Sequence, residues 1–201
     1  MAGTMPHAIF IETDVDGHGL VGAYAAELPG CAVFAATDDE AAGAMPIRVS
    51  RFTTWLKENG EAAPSFVGDN WYEVERAGAT AERRAAFTLD DLPPSDDEFA
   101  TWLRWLELAR EELAAALDEA DPSTASAVLD AIERQDVVSV RELDHAAPEL
   151  SSDPIDRLYA ARDALTDALE AAGPYRDGVR RILRLAIADD LRAAESLRAT
   201  A

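Results

Sequence analysis

The chain has 201 residues, enough for one large domain or two small ones, and its 48% apolar content suits a globular core. Asp and Glu total 39 against 18 Lys and Arg, a net charge of −21 that disfavours general binding to phosphate backbones. No apolar run reaches the ~18 residues of a membrane span, and the single cysteine, Cys31, leaves no internal disulfide and no cysteine-based metal cluster.

Residues 7–13 carry Ile9, Phe10 and Ile11 and read as a buried strand. A turn, Asp14-Val15-Asp16-Gly17-His18-Gly19, leads to a second apolar run at 20–26. Its glycines permit the positive φ of a hairpin. The corner Glu27-Leu28-Pro29-Gly30-Cys31 precedes a third short run, 32–36. Thr37 with Glu40 three positions later is a capping box that opens a helix ending at Asn59-Gly60. Pro46 inside it predicts a kink or two short helices. Trp71-Tyr72-Glu73-Val74-Glu75 alternates as a fourth strand.

Residues 77–94 read as loop, and a domain boundary is set there, giving domains 1–90 and 91–201. Ser95 and Glu98 form a second capping box. Phe99, Trp102, Leu106, Leu113 and Leu117 follow at helical spacing. Asp121-Pro122 starts the next helix with apolar Val128, Leu129 and Ile132. Ser139-Val140-Arg141-Glu142 reads as a third capping box, with Pro148 closing a short segment. Asp153-Pro154 caps a helix that ends at Gly173-Pro174, and a last helix covers about 176–198. Long helices joined by short loops predict an antiparallel bundle.

The order strand, turn, strand, Leu-Pro-Gly-Cys corner, strand, helix resembles the small HicB-like antitoxin fold. The helical half resembles the DinB-like four-helix bundle family over three segments: 102–117, 139–145, and Arg181-Ile182-Leu183-Arg184-Leu185-Ala186-Ile187. The fold class these resemblances imply is α+β: a small antiparallel sheet with one helix, followed by an antiparallel helical bundle.

The DinB-like resemblance further implies a divalent metal, such as zinc or nickel, held by three histidines. One lies on the second bundle helix and two at i, i+4 on the last, a spacing that aims both imidazoles off one face. Here the first position is His145, while the pair falls on Asp189 and Ala193. Alanine cannot bind metal, so His145 and Asp189 remain as an incomplete set; a third ligand is not identified, Asp144 and Glu149 being candidates. The expectation is therefore a lost metal site and no cofactor.

The other candidates are weaker. His7 and His18 read as solvated. Asp189 and Asp190 read as a solvated face. The Asp14–Gly19 turn faintly resembles a calcium loop, but position 25 is alanine where a bidentate Glu is needed. Arg180, Arg181 and Arg184 are the densest candidate for a local basic patch.

The first functional expectation is a non-catalytic protein-interaction or small-ligand-binding protein, with a protein partner or a second copy of itself. No nucleic-acid or membrane partner is expected. The alternative is a metal-dependent enzyme, a thiol transferase or hydrolase. Met1–Pro6 lacks a basic segment followed by an apolar one, so a cytoplasmic location is expected.

Overall fold

A computed structural model describes residues 7–64, 71–80, 83–149 and 151–200. The reading of Met1–Pro6 as free of a leader lies outside them. The chain divides into two compact units, Met1–Asp91 and Leu92–Ala201. The class is α+β, with the sheet first and the helices after it. Among the described residues no helix is long and apolar enough to cross a membrane.

In the first unit, β1 (His7–Thr13), β2 (Val21–Ala25) and β3 (Ala32–Ala35) pair as successive antiparallel neighbours. The β1–β2 turn is held by its own aspartates. Asp14 Oδ1 accepts from Gly19 N at 2.9 Å. Asp16 Oδ1 accepts from His18 N at 2.9 Å and from Leu20 N at 3.1 Å. These carboxylates are spent on the loop itself. Cys31 is fully buried just before β3.

α1 (Asp38–Glu58) begins at Thr37, whose hydroxyl accepts from Glu40 N at 3.3 Å. It runs as one helix through Pro46, so the expected division into two short helices does not occur. Ala41, Met45, Val49, Phe52 and Leu56 form its buried face, and α1 packs on β2 and β3. Burial of that face outweighs the single backbone bond that proline removes.

β4 (Trp71–Gly78) lies beside β1, giving the order β3-β2-β1-β4. It pairs parallel to β1, with a register shift between Ile9 and Phe10. The sheet is thus mixed, not antiparallel as expected. Two antiparallel reversals leave β3 running with β1. The helical crossover then returns the chain to the starting end, and the next strand enters in the same direction. The segment read as loop covers part of the sheet: Phe87 stacks on Phe10, ring centroids 5.0 Å apart, just before a 3-10 turn at Thr88–Asp91.

The second unit contains α2 (Asp96–Glu119), α3 (Pro122–Glu142), α4 (Pro154–Ala172) and α5 (Val179–Thr200). Ser95 and Glu98 complete a reciprocal capping box, while Asp121 and Asp153 cap α3 and α4. α3 continues past Ser139, so the third predicted capping box sits inside a helix and starts none. Its Ser139 and Val140 are buried in the bundle, and that packing overrides the local signal.

Cross-helix pairs set the helix directions. Arg110 and Arg198 tie α2 to α5 through Asp190 and Glu112, in ascending order on both. Arg157 and Arg162 on α4 pair with Glu133 and Asp136 on α3, again ascending. α3 meets α5 in the opposite sense, Asp136 near Asp190 and Glu142 on Arg181. The bundle runs up, down, down, up, so the expectation of antiparallel neighbours joined only by short loops fails at α3–α4. α4 has 19 residues and is about 28 Å long. The eleven residues 143–153 between α3 and α4 can reach about 36 Å when extended. They are long enough to return the chain along the bundle.

Candidate functional site

The sequence-predicted ligands are not brought together. His145 is exposed just beyond the C-terminus of α3. Glu142, one turn earlier, pairs with Arg181. Asp189 lies eight residues further along α5, about 12 Å along the axis, and is half-buried. Asp144 is exposed, with φ of 60°, and pairs with Arg176. Glu149 is exposed. His145 also belongs to the end of the second bundle helix, where the resemblance placed it near a helix start. Among the described residues, no group of three or more His, Cys, Asp or Glu side chains is arranged to hold a metal ion.

The three arginines that were the candidate for a basic patch do not form an exposed cluster. Arg181 and Arg184 are buried, and Arg180 lies 4.7 Å over the Trp102 ring. Its Nε donates to the Leu92 carbonyl at 2.9 Å. His18 is exposed as expected, whereas His7 is half-buried with its ring centroid 4.7 Å from that of Trp71.

The polar centre of the bundle lies elsewhere. Each helix contributes one charged residue: Arg110 from α2, Asp136 from α3, Arg162 from α4 and Asp190 from α5. All four are at most 4% exposed. Arg110 forks Asp190, donating from Nε to Oδ2 at 3.0 Å and from Nη2 to Oδ1 at 3.1 Å. The same Nη2 reaches Asp136 Oδ2 at 2.9 Å, and Nη1 donates to the Leu158 carbonyl at 3.3 Å. Arg162 forks Asp136, from Nε to Oδ2 at 3.2 Å and from Nη2 to Oδ1 at 3.0 Å. Its Nη2 also stands 3.0 Å from Asp190 Oδ2.

The formal charge of this tetrad is zero, which is what allows four ions to lie in a low-dielectric core. Burial works against the Arg110 cation, yet Asp190 and Asp136 hold its pKa above the usual value. Complete burial pushes the Asp190 carboxyl up, Arg162 and Arg110 pull it back, and neighbouring Asp136 adds to the rise. Below the tetrad, Leu113, Leu117, Leu129, Ile132, Leu158 and Leu197 pack as an apolar layer.

Asp190 is therefore not part of a solvated face, and its partners Arg110, Asp136 and Arg162 are not among the residues singled out above. A signal was present. Arg110 falls in the gap of its own apolar stripe, between Leu106 and Leu113. Asp136 follows Ile132, Arg162 lies between Leu158 and Leu165, and Asp190 lies between Ile187 and Ala194. A charge at a core position in every helix is the pattern to look for.

The first unit holds a second buried ionic group. Glu12 on β1 is fully buried. Its Oε1 accepts from Arg84 Nε at 2.9 Å and from Ala85 N at 2.7 Å. Its Oε2 accepts from the Tyr24 hydroxyl at 2.7 Å and from Arg84 Nη2 at 3.0 Å. Burial opposes the charge, but Arg84, Tyr24 and the Ala85 amide hold the Glu12 carboxyl below its ordinary value.

No family model matches the chain, and no curated protein or solved structure matches it.

Proposed function

We propose that the chain is a non-catalytic interaction protein, a HicB-like domain (1–90) joined to a degenerate DinB-like bundle (91–201) that has given up its metal site. One observation carries this reading: of the three positions that the resemblance assigns to the metal, Ala193 offers no ligand atom, and His145 beyond the end of α3 and Asp189 on α5 are not brought together. The HicB-like resemblance supplies the expectation of protein contacts, with a partner protein or a second copy, in the cytoplasm. The metal-dependent enzyme has less support, since His145 and Asp189 lie apart and Asp144 faces Arg176.

The test has two arms. After incubation with zinc or nickel and desalting, the protein should retain no stoichiometric metal. About one metal per chain, lost in His145→Ala, would overturn the non-catalytic reading. Sedimentation should show a homodimer or a complex with a co-purified partner, and a clean monomer that captures nothing counts against the interaction role.

A further inference from the structure

The tetrad is closed in charge but not in hydrogen bonds. Arg162 donates from Nε and Nη2, while its Nη1 is buried with no protein partner. A guanidinium has five N–H donors, and a buried donor left unsatisfied costs about 1–3 kcal/mol. The neighbouring charges decide what satisfies it. An anion would meet Asp136 and Asp190 within the same cluster, and a cation would meet Arg162 itself. A neutral acceptor has neither conflict.

We propose that Arg162 Nη1 marks an internal binding site for a single neutral oxygen acceptor, an ordered water, that completes the tetrad. The water accepts from Nη1 and returns its two protons to oxygens of the core. Two to four polar partners are what such a water requires. The Asp136 and Asp190 carboxylates have lone pairs to spare beyond the arginine contacts. Ser139, buried and three residues beyond Asp136 on α3, brings a hydroxyl to the same side of that helix. The site is independent of the interaction role proposed above, since it concerns only the bundle interior.

The consequence is a hydrated centre. A water inside the cluster raises the local polarisability and relieves part of the burial that acts on Asp190. The four ions are then a solvated group enclosed by protein instead of a dry one.

The test is a high-resolution crystal structure of the full chain, together with oxygen-17 relaxation dispersion, which counts long-lived internal waters in solution. A single spherical peak 2.7–3.2 Å from Arg162 Nη1 is expected. Arg162→Lys, which keeps the cation and removes that donor, should have one fewer long-lived water. An organic molecule at the peak would overturn water as the occupant. No peak, or Nη1 bonded directly to a protein oxygen, would overturn the site. The wild-type crystal structure decides the matter even if the lysine variant fails to fold.

Discussion

Glu12 in the first unit and Asp190 in the second are both fully buried carboxylates, yet they are held by different means. Glu12 shares its lone pairs among a backbone amide, a phenol and one guanidinium, and that guanidinium is 15% exposed. Asp190 faces two guanidiniums and a second carboxylate, all of them buried. The difference shows in the directions of their pKa values, Glu12 lowered and Asp190 raised. Neutral donors and a partly solvated partner make burial of a charge tolerable for one residue. Without them, neutrality becomes a property of the whole set, and every member is needed.

Asp190→Ala should break this contrast most strongly. It leaves two buried arginines against one aspartate, and removal of one partner from a buried pair costs about 3–5 kcal/mol. Urea denaturation followed through Trp102 and Trp105, with Trp55 and Trp71 changed to Phe, isolates the second unit. A loss under about 1 kcal/mol would mean that the other three members do not need Asp190.

Replacing all four members together with Leu or Met should have the opposite sign, from neutral to about 4 kcal/mol more stable. The thermal midpoint of the variant would show it. What the ions then contribute is register, because the forks fix which residues of α2 and α5 lie level.

Glu12→Gln should cost about 1.5–3 kcal/mol, the range for hydrogen bonds to a charged group. The pH response follows from the lowered pKa. The stabilisation from Glu12 is fully present above the ordinary value of 4.5 and is lost as pH falls through the lowered folded value. Acid titration of the first unit, read through Trp55 and Trp71, should flatten in Glu12→Gln; an unchanged profile would assign the acid sensitivity elsewhere.

The smallest effect is Gly22→Ala. An added Cβ would lie 3.1 Å from the Tyr24 ring and 3.3 Å from Phe34, and such overpacking costs about 1–3 kcal/mol. If Tyr24 is displaced, the Glu12 pH response should shift with it.

The parts of this molecule legible in the sequence are those fixed by neighbours along the chain. Thr37 with Glu40, Ser95 with Glu98, Asp121-Pro122 and Asp153-Pro154 all mark the helix starts they were read to mark. The parallel entry of β4 and the direction of α4 depend on how the chain returns after a crossover, which no local pattern encodes. Ser139 shows the same limit from the other side: its capping signal is genuine in form, and burial decides against it. The candidate site was hidden for a related reason. His145 and Asp189 were sought by ligand spacing, whereas the polar centre is written as one misplaced charge per helix.

The order of the tetrad's members along the chain also has a consequence during synthesis. Arg110, Asp136 and Arg162 are translated well before Asp190. At roughly 5–20 residues per second, the 28 residues from Arg162 to Asp190 take about one to six seconds. Through that interval Arg110 and Arg162 have only Asp136 of the tetrad's two carboxylates, so a core closed at that stage would bury one arginine without its full set of partners. α5 arrives as both the last helix of the bundle and the carrier of the second carboxylate, Asp190.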